Sequence, residues 1–222
     1  MKLSRIFVIN LLFVVGMLAL SIWAWRELPP NVRIPTRFDF DGKPIAYMGK
    51  VGGLFLLPLL TLSIPLTDLI ILPKTEPNQN NIKRSKRAYT AISIATVVFM
   101  AIVHVTIVLA AVEQTINTSN VIAIALGILM MIIGNYLTKI RRNYFFGFRT
   151  RWTLSSDLAW HKTHRWASWL TVIHGVAFIV AGLLNSTTLI KLSLISFAVV
   201  SIIVLPVYSY WLWKSDSNRL TE

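Results

Sequence analysis

The chain contains no cysteine, which excludes structural disulfides, thiolate zinc sites, iron–sulfur clusters and cysteine nucleophiles. Charged residues are also scarce, at 14% of the 222 residues, and the nine acidic residues are far outnumbered by 22 Lys and Arg. With 55% hydrophobic residues and a mean hydropathy of +0.63, the chain is too apolar for an ordinary soluble domain. The composition indicates a membrane protein.

The apolar residues form six long runs, and a helix needs about 20 such residues to cross the hydrocarbon core. The first run follows Lys2 and Arg5 as a signal peptide would, but it stays apolar too long and lacks a good cleavage site, so we interpret it as an uncleaved helix. Pro58 and Pro65 predict a kink in the second. We predict an all-α polytopic membrane bundle of six transmembrane helices, at residues 6–25, 51–72, 89–112, 121–137, 166–184 and 189–213.

The basic residues alternate between the two sides of this predicted bundle. With the amino terminus inside, the inside segments hold sixteen of the 22 Lys and Arg, so the positive-inside rule places both termini in the cytoplasm. The formal net charge of +13 then belongs to membrane loops, and we expect no direct contact with nucleic acid. The predicted location is the bacterial cytoplasmic (inner) membrane, with multiple passes.

We predict a single membrane domain over residues 1–222, with three notable connections. Residues 26–50 form an extracytoplasmic loop, which its prolines and Asp41-Gly42 make extended and turn-rich rather than a calcium loop. Residues 73–88 are a solvated, basic cytoplasmic linker. Residues 138–165 form a cytoplasmic loop, here called the motif loop, in which Thr153, Ser155 or Ser156 caps a helix that begins near Asp157 and continues into the fifth span.

Aromatic residues and arginines alternate in the motif loop, in the segment NYFFGFRTRWTL. At a membrane boundary, such rings lie among acyl chains while guanidinium groups meet lipid phosphates or the carboxylates of a partner. A lipid-anchoring loop is the simplest interpretation of this pattern, and a partner-binding surface is the alternative.

The longer run GNYLTKIRRNYFFGFRTRWTLSSDLAWHKTHRWAS resembles the signature of the SdpI family of bacterial membrane proteins. The matching positions are Gly134, Asn135, Asn143, Gly147, Arg149, Thr150, Trp152, Thr153, Leu154 and Trp160. A second run, LPPNVRIPTRFDFDGKPIAYMGK, is similar to the short extracytoplasmic segment that often joins the first two helices in this family. It matches at Leu28, Pro29, Ile34, Pro35, Thr36, Phe38, Gly42, Pro44 and Lys50. The chain departs from the family pattern at Arg37, where we expect His, and at Arg151, where we expect Pro.

The resemblance implies an immunity protein that protects its cell from a secreted, membrane-active toxin peptide. It also implies that a small winged-helix repressor is held at the inner face, while membrane lipids surround the bundle. On this basis we assign partner binding to Asn135, Asn143, Gly147, Arg149, Thr150, Trp152, Thr153, Leu154 and Trp160. We assign the shape of the outer loop to Pro35, Thr36, Phe38, Gly42 and Pro44. The resemblance implies neither catalysis nor a cofactor.

Two other functions stay open. Ionisable residues inside predicted spans are expensive in lipid, so Asp68, His104 and His174 are candidates for a transport path, although Asp68 is also near enough to Lys74 for a structural ion pair. A membrane metalloenzyme would use His161 and His164, which are three residues apart and share a helix face. No His-Glu-x-x-His motif is present, so we expect no metal site and no enzyme.

Overall fold

The computed structural model describes residues 3–71, 77, 79–112 and 117–219. Within these residues, six helical segments are long and apolar enough to cross a membrane, which confirms the predicted all-α bundle. The helices are α1 (Leu3–Glu27), α2 (Lys50–Leu66), α3 (Gln79–Arg84), α4 (Lys86–Ala111), α5 (Thr118–Leu137), α6 (Arg151–Ser155), α7 (Asp157–Leu183), α8 (Thr187–Val199) and α9 (Leu205–Ser215).

Two spans contain a wider, π-helical turn. Helix α2 passes through Pro58 and Pro65 and then widens into a π turn at Thr67–Ile71, while a second π turn at Val200–Val204 joins α8 to α9 in the sixth span. The prolines for which we predicted a kink therefore lie next to a π-helical turn. Such π turns are frequent at functional sites.

Polar caps fix where several helices begin. The side chain of Asn117 accepts a hydrogen bond from the backbone of α5, Ser186 caps α8, and Ser156 accepts from the backbone N–H of Ala159 to start α7. The last cap confirms the predicted helix start near Asp157.

Helices α5 and α7 pack closely because glycines replace side chains where they meet. A Cβ atom on Gly127 would lie 2.5 Å from the Gly175 carbonyl oxygen, and one on Gly175 would lie 2.8 Å from that of Gly127. Small residues let helix backbones approach in this way where the hydrophobic effect gives no drive to association. Helices α1, α2 and α4 form a second group of neighbours.

Because the number of spans is even, the start of α1 and the end of α9 lie at the same end of the bundle, here called the terminal end. The opposite end carries a feature that the sequence analysis did not predict. Residues 26–50 contain an antiparallel hairpin of β1 (Arg33–Phe38) and β2 (Pro44–Gly49), rather than only extended chain. The turn itself is as predicted, because the Asp39 carboxylate accepts hydrogen bonds from the backbone N–H groups of Asp41 and Lys43.

The hairpin tip rests on the neighbouring helices at this end, which we call the hairpin end. The Ser119 hydroxyl, in α5, donates to the Asp39 carbonyl oxygen at 2.7 Å, and the Thr187 hydroxyl, in α8, donates to the Asp41 carboxylate at 2.7 Å. The hairpin, which follows α1 and precedes α2 in sequence, is therefore also attached to α5 and α8.

The predicted basic linker, 73–88, is more ordered than expected in its second half. Residues 79–84 form α3, with Ile82 buried, and the Asn81 amide donates to the Arg142 carbonyl oxygen at 2.9 Å. The Ser85 hydroxyl accepts from the backbone N–H of Arg141 at 2.8 Å. This part of the segment is packed against the motif loop instead of being a solvated linker; residues 73–76 and 78 lie outside the described residues.

Candidate functional site

Asn143 organises the first part of the motif loop from a buried position, 1% exposed. Its side-chain oxygen accepts from the backbone N–H groups of Phe145 and Phe146 at 2.8 and 2.7 Å. Its amide group donates to the carbonyl oxygens of Arg141 and Phe146 at 2.8 and 3.2 Å. One side chain thus satisfies four backbone groups and folds the chain back on itself.

A buried histidine holds the middle of the loop. The backbone N–H of Phe148 donates to Nε2 of His164 at 3.0 Å, and Nδ1 of His164 lies 2.8 Å from the Trp160 carbonyl oxygen. Since Nε2 accepts a hydrogen bond, the proton of the neutral ring is on Nδ1. Gly147 is required here, because it has a φ of +101° and a Cβ atom would collide with the His164 ring.

Trp160 forms the floor beneath this histidine. Its ring stacks on His164 with centroids 4.1 Å apart, and its Nε1–H donates to the Ile140 carbonyl oxygen at 2.9 Å. Trp160 belongs to α7, and its side chain is completely buried in a core cluster that includes Leu137 and Ala167. Trp160 therefore belongs to the core of the terminal end, and not to a loop surface.

The loop ends in a capping box that starts α6. The Thr150 hydroxyl accepts from the backbone N–H of Thr153, and the Thr153 hydroxyl accepts from that of Thr150. Thr153 is completely buried and also donates to the Phe148 carbonyl oxygen at 2.9 Å. Thr150 lies 3.1 Å from the hydroxyl of Ser209, which ties this turn to α9.

Polar contacts fasten the rest of the loop to its surroundings. The Arg142 guanidinium lies 3.3 Å from the Asp157 carboxylate at the start of α7. The Ser156 hydroxyl donates to the Asp216 carboxylate at 2.5 Å, beyond the end of α9. This bond, with a second from the backbone N–H of Asn218, holds the pKa of Asp216 below its ordinary value. The motif loop is therefore a folded cap on the terminal end.

The predicted partner-binding residues consequently divide into two groups. Asn143, Thr153 and Trp160 are buried and build the cap, so their predicted role in partner binding is at most an indirect one. The rest are exposed or partly exposed, and they are Asn135, Gly147, Arg149, Thr150, Trp152 and Leu154. Among these, the Arg149 guanidinium donates to the Tyr144 carbonyl oxygen, and the Trp152 ring lies 5.3 Å from that of Tyr210.

The hairpin has one buried strand and one exposed strand. In β1, Ile34 is completely buried and fits where Gly53 of α2 has no side chain. Lys50 fixes the end of β2, because its ammonium donates to the Leu28 carbonyl oxygen at 2.5 Å and lies 4.7 Å from the centre of the Trp25 ring. The predicted loop-shaping residues follow this division, with Pro35 buried, Thr36 and Phe38 partly buried, Gly42 in the turn at a φ of +82°, and Pro44 exposed at the start of β2.

The exposed strand and turn present apolar side chains, which we call the hairpin surface: Phe40, Ile45, Tyr47 and Met48. Exposed apolar side chains such as these suit contact with a membrane or a partner.

Comparison with known proteins shows where these two features recur. Residues 139–210, which include nearly all of the motif loop, match the model of the SdpI/YfhL protein family. Over this stretch the chain is similar to the SdpI/YfhL family. Residues 12–62, which contain the hairpin, match a domain of unknown function, DUF1648. The immunity protein SdpI of Bacillus subtilis (strain 168) is 24% identical over 207 residues, which are 93% of this chain and 95% of that protein. No solved structure matches the chain.

The predicted intramembrane candidates lie in separate clusters. Asp68 accepts from the hydroxyls of Tyr89 and Ser93 at 2.5 Å and from the Asn10 amide at 3.4 Å. These described partners are neutral, and the predicted pairing with Lys74 falls outside the described residues.

His104 belongs to a different cluster on the same helices. Its Nε2 lies 3.0 Å from the Ser21 hydroxyl and 3.2 Å from the Met17 carbonyl oxygen. Buried Val14 and Val97 lie along α1 and α4 between this cluster and that of Asp68. His174 is in α7, where it contacts Ser196 at 3.1 Å. The three ionisable candidates therefore lie in three separate polar clusters.

The histidines of α7 do not share a site either. His161 is exposed, whereas His164 is buried and directed at the motif loop. Among the residues described, no group of three His, Cys, Asp or Glu side chains has a geometry that would hold a metal ion. The two histidines are neighbours on α7, but they face different surroundings.

The sequence analysis missed several residues that build the site. The analysis did not predict that His164, Ser209 and Asp216 hold the motif loop in place, or that Asn10 and Ser93 contact Asp68. The Trp160–His164 spacing of four residues was a signal, since such pairs lie on one helix face. The other contacts join segments far apart in sequence, and no local pattern predicts them.

Proposed function

We propose that this protein is an immunity protein of the bacterial cytoplasmic membrane, which protects its cell from a secreted, membrane-active toxin peptide. The observation that carries the proposal is the similarity to the immunity protein SdpI, because it covers 93% of this chain and includes both the hairpin and the motif loop. A binding role agrees with the structure, in which both features are folded surfaces at the two ends of the bundle.

The hairpin surface is the proposed contact for the toxin peptide, with the hairpin end outside the cell. Ile45, Tyr47 and Met48 offer apolar area next to the exposed cations Arg37 and Lys43. A membrane-active peptide is amphipathic, so its apolar side chains can meet this area while its terminal carboxylate meets the cations. The bonds from Ser119 and Thr187 hold the tip in place, which lowers the entropy cost of binding.

The terminal end is the proposed contact for a small winged-helix repressor in the cytoplasm. Arg149 and Trp152 are accessible on the folded motif loop, and Arg and Trp are enriched at the centres of protein interfaces. In this proposal the buried residues Asn143, Thr153 and Trp160 act only by holding that surface in shape.

Survival of toxin-sensitive bacteria tests the proposal. Cells that express the protein, and matched cells with an empty vector, are challenged with a panel of membrane-active bacterial toxin peptides. We expect the protein to raise survival against at least one peptide. Equal survival of both strains against every peptide, with the protein present in the membrane, would refute the immunity function. Co-purification of a cytoplasmic repressor with wild type but not with Arg149→Ala tests the second contact.

A further inference from the structure

A basic groove crosses the terminal end beside the motif loop. It lies between the α3–α4 junction and the end of α5, with a volume of about 730 Å³. Its charged lining residues are all cations: Lys83, Arg84, Lys86, Arg87 and Lys139. No acidic residue is among the described residues that line it, and none of these cations forms an ion pair in the part of the chain that the structure describes.

The other wall of the groove belongs to the transmembrane helices. Ala88, Thr90 and Ala91 line it from the first turns of α4, and Tyr136 lines it from the last turn of α5. Lys139 stands at the boundary, with its ammonium 4.6 Å from the centre of the Tyr136 ring. The groove therefore combines cations with small, uncharged residues at the ends of two helices that are long enough to span a membrane.

We propose that this groove binds the headgroup of an anionic phospholipid. Uncompensated cations at a helix boundary attract phosphate, and basic pockets between transmembrane helices are suited to anionic headgroups. The small, partly exposed side chains of Thr90 and Ala91 leave space for the first methylene groups of the acyl chains below the phosphate. An acidic protein segment could also pair with the cations. It has no acyl chains, however, that would pack against a wall made by transmembrane helices.

The groove is also connected to the motif loop. Ser85 lines the groove, and its hydroxyl accepts a hydrogen bond from the backbone N–H of Arg141. Nearby, the Asn81 amide donates a hydrogen bond to the Arg142 carbonyl oxygen. A lipid that orders the α3–α4 junction thus supports the loop as well. This site goes beyond the proposed immunity function and does not depend on it.

Native mass spectrometry of the full chain in mild detergent tests the proposal. Wild-type protein is titrated with phosphatidylglycerol, with phosphatidylcholine of the same chains, and with inorganic phosphate. We expect one phosphatidylglycerol to bind in preference to phosphatidylcholine, and inorganic phosphate not to displace it. Equal binding of the two lipids would overturn the proposal, and displacement by inorganic phosphate would show a site for a free anion instead.

A matched pair of variants locates the site. The triple variant Lys86→Gln/Arg87→Gln/Lys139→Gln should lose at least about tenfold in affinity for phosphatidylglycerol, since each cation near an anionic surface contributes roughly fivefold. Arg33→Gln/Arg37→Gln/Lys43→Gln removes the same charge at the hairpin end and should retain wild-type affinity. An equal loss in both variants would contradict this site.

The wild type alone gives a second measurement if the triple variant does not fold. Raised salt concentration should abolish the preference for phosphatidylglycerol, because exposed charges are screened. A preference that persists at high salt would refute recognition by these cations. If the protein protects cells but shows no lipid preference, only the lipid site is refuted. If it prefers phosphatidylglycerol but does not protect cells, only the immunity function is refuted.

Discussion

Nε2 of His164 accepts a hydrogen bond from the backbone N–H of Phe148 at a distance of 3.0 Å. This bond joins a transmembrane helix to a loop whose sequence is basic and aromatic. Because the ring is wedged between Gly147 and Trp160, the loop has little freedom to move away from α7. The conformation of the motif loop is therefore set by the bundle beneath it.

Gly147→Ala should destabilise this loop. The new Cβ atom would collide with the His164 ring, and the φ of +101° is strained for any residue with a side chain. We expect a loss of about 1–3 kcal/mol, the usual cost of such strain. Thermal unfolding in detergent measures it, with Gly16→Ala as the control, since a Cβ atom there has nothing within 4 Å. Equal unfolding midpoints for both variants would contradict this packing.

Asn143→Asp tests the buried amide. The carboxylate keeps the acceptors for the Phe145 and Phe146 N–H groups, but it cannot donate to the carbonyl oxygens of Arg141 and Phe146. Unsatisfied buried groups cost about 1–3 kcal/mol each, so the unfolding midpoint should fall clearly. The same change at exposed Asn135 should leave it unchanged. Similar midpoints for the two variants would show that Asn143 is not buried as described.

The six spans follow from the sequence because lipid imposes a simple requirement. Every backbone group must be satisfied within the segment, so long apolar runs become helices. The start of α7 was also predictable, since Ser156 stands before Asp157 as a cap. These features depend on neighbours in sequence alone.

The hairpin was harder to predict from residues 26–50. Pro35 and Pro44 argue against strands, and they disguise two short runs on either side of Asp41-Gly42. The buried state of Asn143 was not predictable at all, because a polar residue in a basic segment resembles a solvated one. Its neighbour Phe146 packs against the cluster that contains Trp160 of α7, and this packing joins segments that are far apart in sequence.

Ile34→Ala and Ile45→Ala compare the two strands of the hairpin. Ile34 is 0% exposed and Ile45 is 58% exposed, so the same truncation should have different effects. We expect the first to cost about 2–5 kcal/mol and the second less than about 0.5 kcal/mol. Limited proteolysis of residues 26–50 provides the readout. Equal cleavage rates would mean that β1 is not docked on α2.

Asp68→Ala should destabilise the bundle without acting on a transport path. The hydroxyls of Tyr89 and Ser93 would lose their acceptor in a buried site, at about 1–3 kcal/mol for each. Asp41→Ala is the control, because water replaces the exposed bond to Thr187. Thermal unfolding separates the two variants, and an unchanged midpoint for Asp68→Ala would contradict the cluster.

Single cysteines test the proposed orientation, since the chain has none of its own. Lys43→Cys at the hairpin end should react with a membrane-impermeant maleimide in intact cells. Ser217→Cys, exposed beyond α9, should react only after the membrane is permeabilised. The reverse pattern would place the hairpin inside the cell and would exclude it as the toxin contact.

Survival under toxin challenge, compared between wild type and Ile45→Ser/Tyr47→Ser at equal protein levels, tests the central claim most directly. Both side chains are exposed, so the double variant should fold normally. The account predicts that wild type protects against a membrane-active peptide, and that the variant loses protection by roughly tenfold, the effect of about 1.4 kcal/mol of binding. Full protection by the variant would contradict toxin recognition at the hairpin surface.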